Sequence, residues 1–544
     1  MSPTSLIQTP SGLDRLESLL HDFEGVLYNW PEYLSVLQEP STYMAAAGIG
    51  AAGLGMVFAG RRAGSYLSHT PGDVVLGRRM DTRLDRIFRT LVVAGWIDRT
   101  HHIEVTGPTG SGKTTALLPI AVQDLINGHT VATEEIYGDF GTSLIPYALA
   151  LGQPVFVLDP SLDGSLCLNP LAGEDDEDVV EHFASVVEGL FAYHPFYKGF
   201  NGDAARSFAR LAREYARQQG GEADLALFKL LLSDRAFLYR VLQVKVEGTG
   251  YDKVETVGAP WVSRDTRSWF ASDYLRWSEK LRVEYLSALK NWTNKLLAKT
   301  AARRVLCPGP QDLALDLKTA LSTPGALTVL RFPPEAIDEE PAYAMARFVT
   351  KTIQNLTLRR FPDAFGSDLP VPPLALFMDE LPTLVGENFG DAKTTAQYMA
   401  LVRKQGVSVT VTHQGGALMS DVLSGALDTN ARAKLFAPGL GAEDLSKAQQ
   451  TLGFEDKEVH DERETNASPF SIGPYSRSRG TRMQRAPRFG EDELRYAKVG
   501  NWVHLPFRGL QNRPAERVRM RRVPPPEAFA HPSWYRAWRR PRVA

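Results

Sequence analysis

Two groups of residues in this chain are spaced to do chemistry. The first is Gly107-Pro108-Thr109-Gly110-Ser111-Gly112-Lys113-Thr114, which fits G-x-x-x-x-G-K-[ST]. Glycines let the backbone wrap closely around phosphates, and the loop and helix N–H groups then converge on the anion. Residues Gly107 to Thr114, with Thr115 just beyond, are the expected contacts of ATP. Lys113 is placed to reach the β- and γ-phosphates, and the Thr114 hydroxyl to hold Mg²⁺. The second group lies far downstream, where the apolar run Leu374-Ala-Leu-Phe-Met ends in Asp379-Glu380. Asp379 is expected to support Mg²⁺, directly or through water, and Glu380 to polarise the attacking water as general base. Gln414 ends the next apolar-alternating run, from Val407 to His413, and can hydrogen-bond a γ-phosphate or that water. Arg403, and Arg432 with Lys434, are candidates for the cation that neutralises charge developing on the γ-phosphate. Sequence does not say whether such a cation serves its own site or a neighbouring subunit's. His413 reads as structural, because hydrolysis here already has a base.

The flanking pattern supplies the elements that must hold these residues. His102 to Thr106 reads as a strand and the stretch after Thr115 as a helix, the context this glycine-rich loop requires. Gly128 ends that helix, a strand follows at His129 to Thr133, and Val155-Phe-Val-Leu158 reads as a buried strand. Strands alternating with helices predict a mostly parallel sheet, with ligands at the carboxyl ends of its strands. From about Gly173 the pattern turns helical, opened by the acidic run Glu174 to Asp178, which suits a helix N-terminus. Strands return at Gly325 to Phe332. The fold class expected is α/β, a RecA-like P-loop domain with a mostly parallel sheet and an inserted all-α domain. The bounds are an N-terminal segment 1–40, a candidate membrane helix 41–60, a connector 61–100 and the first part of the nucleotide-binding domain at 101–172. The all-α insertion follows at 173–318, the second part of the nucleotide-binding domain at 319–523 and a basic tail at 524–544.

Composition sets outer limits. With 544 residues the chain exceeds one ordinary core, and 43% hydrophobic with 23% charged residues is usual for globular proteins. A net charge of −2 means that any nucleic-acid contact comes from local patches. The patches available are Arg477, Arg479, Arg482 and Arg485, within a stretch (464–488) that reads as a mobile basic loop, and the arginines between 513 and 522. Two cysteines without C-x-x-C spacing exclude a disulfide framework and fit a reducing compartment. Residues 41–60 carry no charge over roughly the length of a bilayer crossing, but their Ala/Gly content fits a buried segment equally. Arg61 and Arg62 follow, which would put the long C-terminal portion in the cytoplasm.

The order of motifs adds a family resemblance. The P-loop, Val155 to Pro160, Asn169-Pro170-Leu171, a helical insertion, Met378-Asp379-Glu380 and Arg403-Lys-Gln-Gly406 before a strand into Gln414 look like the type IV secretion coupling proteins. These are TraG/TraD-like conjugative ATPases of the FtsK/HerA branch of motor ATPases. The closing Arg488-Phe-Gly-Glu-Asp-Glu-Leu494 and Gly500-Asn-Trp-Val-His504 are similar too, so the resemblance spans roughly 100 to 525. It departs where the family commonly has Lys-Gly-Glu and this chain has Thr133-Glu134-Glu135. The resemblance implies a homo-hexameric ring that uses ATP and Mg²⁺ to move DNA, without sequence preference, or a relaxase–DNA complex. It further implies a relaxase or accessory protein as partner, inner-membrane secretion channel components, and a cytoplasmic motor at the bacterial inner membrane. A soluble DNA-pumping ring of the same branch, in the cytoplasm, and an ATP-switched docking platform that pumps no DNA are the alternatives.

Overall fold

The computed structural model describes residues 72–88, 90–191, 195–247, 254–309, 312–365, 371–385, 389–416, 419–464, 477–509 and 511–531. The candidate membrane helix at 41–60 and most of the basic tail lie outside them. Among the described residues no helix is long and apolar enough to cross a membrane.

An eleven-stranded sheet carries the molecule. Its strands in chain order are β1 (Val74–Arg79), β2 (Leu91–Ala94), β3 (Ile103–Thr106), β4 (Thr130–Glu135), β5 (Val155–Leu158) and β6 (Leu327–Arg331). Then come β7 (Leu374–Met378), β8 (Val407–His413), β9 (Ala433–Phe436), β10 (Asn501–Leu505) and β11 (Glu516–Met520). The spatial order is β2-β1-β11-β10-β9-β3-β8-β7-β4-β6-β5. From β9 to β5 every neighbouring pair is parallel. From β9 to β2 every pair is antiparallel. The sheet is therefore mostly parallel, in the RecA-like P-loop arrangement. Its central parallel strands β3, β7 and β8 are buried along their whole length, as strands covered on both faces are.

One face is covered by helices α1 (Lys113–Ile126) and α2 (Phe140–Ala150), which bury Ile120, Val122 and Leu144 against Val105, Val131 and Phe377. The other face shares its core with the insertion. That core joins Leu158, Leu330, Leu376 and Val409 of the sheet to Phe183, Phe208, Phe228 and Leu286 of the insertion's helices. Phe183 of α3 (Asp176–Leu190) is the hinge point. It meets Phe228 edge-on at 5.2 Å and Phe348, on the long helix Glu339–Phe365, at 6.3 Å. The insertion is thus bonded to the sheet through one continuous apolar mass rather than hung on a linker.

The described residues between α3 and Leu306 are helical apart from one short hairpin, Lys245–Glu247 with Val254–Thr256. The acidic run does open a helix: Asp175 caps α3, accepting from the amides of Glu177 at 2.9 Å and Asp178 at 3.1 Å. Asn169-Pro170-Leu171 is the doorway. Asn169 donates to the Ala223 carbonyl at 2.8 Å and accepts from the Leu171 amide at 3.0 Å, fastening the chain's exit from β5 to the helices beyond.

Two sequence expectations are corrected. Residues 61–100 were expected to be a connector, but their described part supplies β1 and β2 to the main sheet. The alternation over Asp73 to Leu76 is that strand. The stretch 464–488 was expected to be a loop, but Arg477–Pro487 pairs along its length with Phe454–Glu464 as an antiparallel ribbon. Charge explains why hydropathy missed it. The first strand carries six carboxylates and two cations, the second four arginines, and the register sets Asp456 opposite Arg485 and residue 462 opposite 479. Opposite charges facing across a ladder stabilise it without any apolar face.

Candidate nucleotide-hydrolysis site

Register brings the chemistry together. In β3, β8, β7 and β4, Val105, Thr412, Asp379 and Glu135 stand at one level, because Thr412 pairs with Val105 and Glu134 with Met378 one step earlier. The Asp379 amide continues the ladder by donating to the Glu134 carbonyl at 2.9 Å. Neighbours at one level of a parallel sheet point to the same face, so Thr412, Asp379 and Glu135 form a polar row at the carboxyl edge. The P-loop starts one residue further on. The Gly107 amide donates to the His413 carbonyl at 3.2 Å, which sets the loop beside Gln414.

The loop is shaped for an anion. Gly110 and Gly112 hold φ of +79° and +92°, a region that side chains avoid. A Cβ on Gly107 would lie 2.4 Å from Ala437 Cβ and 2.7 Å from Ser111 Oγ, so only glycine fits there. Gly112 starts α1 without a side-chain cap, leaving its first amides to an outside acceptor. Ser111 Oγ is buried and has no partner. Orphan donors at an uncapped helix start fit a phosphate, and Thr114 and Asp379 fit the Mg²⁺ that travels with it. Lys113 Nζ donates to the Gly107 carbonyl at 2.8 Å and lies 3.4 Å from Glu380 Oε1. The two side chains therefore pair opposite charges across the site.

Thr412 was not singled out from the sequence. Its hydroxyl donates to Asp379 Oδ1 and accepts from the Glu380 amide at 3.1 Å, so one side chain fixes the Asp379 carboxylate and the Glu380 backbone. The hydroxyl row Ser408, Thr410, Thr412 on an otherwise valine strand was its available signal. Glu380 itself has φ +53°, a strained setting for a glutamate, at the turn that aims it toward Lys113. Gln414 is exposed at the same edge. His413 faces the interior, hydrogen-bonded to Glu104 at 2.9 Å and Thr106 at 3.2 Å. Burial would raise the Glu104 carboxyl, but His413 and Lys434 hold it down to about 2. Lys434 is thus spent on a buried ion pair with Glu104 and is no candidate for the γ-phosphate.

Burial pushes two more carboxyls up to about 7. Glu134 is held only by the Thr350 hydroxyl. Glu135 is opposed by the amides of α2 and raised further by the charge of Asp379.

Arg403 and Arg432 lie elsewhere. Both precede their strands, β8 and β9, and so stand at the amino edge of the sheet, about 20 Å from the P-loop at roughly 3.3 Å per residue of β8. They line an open pocket of about 310 Å³ with His101, His102 and Phe507. Both are exposed, and among the described residues neither meets a carboxylate. Arg432 lies over the Phe507 ring at 5.2 Å. Burial, and then the two guanidiniums, keep the His101 imidazole below its ordinary range.

A phosphate loop between a parallel strand and its helix, with an Asp-Glu pair two strands away and one strand between, is the RecA-like P-loop arrangement. No protein-family model and no curated protein sequence matches this chain. Its structure is similar to that of the bacterial conjugative coupling protein TrwB. The unbound fragment TrwBdeltaN70 superposes with a TM-score of 0.53 at 16% identity, covering 84% of this chain and 96% of that one. TrwB in complex with ADP and Mg²⁺ gives 0.52 at 16% identity, over 84% and 97% of the two chains. TrwB with a non-hydrolysable ATP analogue gives 0.51 at 16% identity, over 82% and 94%. The chain thus shares its fold with TrwB over most of both chains.

Proposed function

We propose that this chain is the ATPase of a conjugative coupling protein, driving DNA or a relaxase–DNA complex toward a type IV secretion channel. The observation that carries the reading is the joint presence of a complete hydrolysis half-site and the TrwB fold over most of both chains. ATP with Mg²⁺ is the cofactor pair, in keeping with the nucleotide complexes of TrwB. Lys113 leaves Glu380 to bind the β- and γ-phosphates, and Glu380 is thereby freed to take a proton from the attacking water. Mg²⁺ supplies charge neutralisation at the phosphates, and Thr114 and Asp379 would hold it. Thr412 fixes Asp379 and the Glu380 backbone, and Gln414 reports on the γ-phosphate from the neighbouring strand. In a homo-hexameric ring the amino edge of one copy, with Arg403 and Arg432, supplies the cations that a neighbour's site lacks. The motor faces the cytoplasm at the inner membrane.

DNA contact is assigned to Arg513, Arg519 and Arg522 rather than to the ribbon or to Arg517. Arg517 is spent on Glu493 at 2.9 Å and Asp81 at 3.3 Å, and it stacks on Phe489. The deciding experiment is ATP turnover of the full chain with single-stranded, double-stranded or no DNA. Stimulation by either form supports the motor. Turnover indifferent to every DNA form would favour a docking platform instead.

A further inference from the structure

One carboxylate at the carboxyl edge has no part in these roles. Glu135 ends β4, level with Asp379 on β7, and is wholly buried. Its Oε1 accepts the Gly141 amide at 3.1 Å, while its Oε2 has no partner. A Cβ on Gly138 would lie 2.8 Å from that orphan oxygen and 2.7 Å from Asp379 Oδ2. The two oxygens therefore face each other across a spot that only glycine leaves open. The rest of the neighbourhood is committed. Thr412 occupies the other oxygen of Asp379. The nearby Arg331 spends its guanidinium on the Gly138 carbonyl at 3.1 Å, Asp159 at 3.2 Å and Glu335 at 2.8 Å. A buried carboxylate oxygen without a donor costs free energy unless something arrives to satisfy it.

We propose that Glu135 is a positioning residue for the nucleotide's Mg²⁺: its Oε2 accepts a hydrogen bond from a metal-bound water that also meets Asp379 Oδ2. This rests on the reading that the site takes Mg²⁺–nucleotide. A carboxylate that receives a hydrogen bond from a metal ligand fixes that ligand's orientation, and such partners typically govern affinity as well as rate. Gly138 is glycine because a Cβ there would press on both oxygens. The rival role is purely structural. Asp139 makes no side-chain cap at the start of α2, and Glu135 Oε1 performs that cap instead.

The two roles separate by measuring Mn²⁺ affinity of the full chain by electron paramagnetic resonance at saturating ADP, alongside ADP binding in EDTA and the thermal midpoint. Glu135→Gln keeps a cap acceptor but turns a donor toward the water. It should weaken Mn²⁺ binding about tenfold or more and leave metal-free ADP binding unchanged. Glu135→Asp should restore part of the loss. Variants that lower only the thermal midpoint, with Mn²⁺ affinity intact, would make Glu135 a helix cap and overturn the proposal. A wild-type chain that binds no Mn²⁺–ADP at all would overturn the nucleotide reading beneath it.

Discussion

The two edges of the same parallel strands carry opposite chemistry. At the carboxyl edge stand a phosphate loop, Lys113 and three carboxylates, with the Thr412 hydroxyl fixed on one of them. At the amino edge stand Arg403 and Arg432, exposed and short of any carboxylate among the described residues, beside the buried His101. A single chain cannot bring these edges together, because the length of β8 lies between them. A ring can, by setting one copy's amino edge against the next copy's carboxyl edge. In the proposed ring, one end of the chain would hold the larger half of a site and the other end the cations that complete it.

The sharpest test of the carboxyl edge is Glu380→Gln, which should cut turnover by roughly 10³-fold while ATP still binds; near-normal turnover would dismiss Glu380 as the base. Next in size, Arg403→Ala and Arg432→Ala should each lower turnover by roughly 10²-fold at unchanged nucleotide affinity. Mixing either variant with Glu380→Gln subunits should then restore some turnover, because sites formed by a sound base and a neighbour's sound arginine reappear. Failure of every mixture to recover activity would break the idea that the edges meet between copies. Thr412→Val should cost about tenfold, the scale of losing an orienting partner of a metal ligand, visible as a raised Mg²⁺ requirement.

The amino edge also predicts a pH effect. His102 accepts the Val409 amide at Nδ1 (3.1 Å) and donates from Nε2 to the Met399 carbonyl at 2.7 Å, a pattern open only to the neutral ring. Burial holds its imidazole at about 4, below the ordinary 6.5. The unfolded chain takes the proton first, so this stability is present above 6.5 and lost as pH falls toward about 4. The thermal midpoint should drop over that window, and His102→Asn should flatten the drop. The smallest effect is expected at the ribbon. Arg485→Ala should change DNA affinity by less than about twofold, since an exposed charge facing the opposite charge of Asp456 adds little.

Much of the carboxyl edge was legible beforehand. Lys113, Thr114, Asp379 and Glu380 belong to local motifs whose spacing is itself the signal, and alternation of apolar runs foretold the parallel sheet. Glu135 and Thr412 were not legible as partners of Asp379, because only the strand order β8-β7-β4 and its register put them at one level. The ribbon was missed because its pairing is electrostatic, which hydropathy does not record. Lys434 looked equal to Arg432 in sequence, two residues apart. Lys434 lies within β9, buried against Glu104, whereas Arg432 stands before the strand and is exposed.

The sequence by itself determined that a phosphate loop, an Asp-Glu strand end and a helical insertion share this chain. Those are local facts: backbone conformation at glycines, period-two and helical apolar spacing, and residue types fixed within a few positions. The tertiary structure alone decided which carboxylates converge at the carboxyl edge and which arginines stand at the opposite one. It also decided that the insertion shares one core with the sheet. Those outcomes depend on the order and register of strands distant in the chain, and no local spacing encodes them.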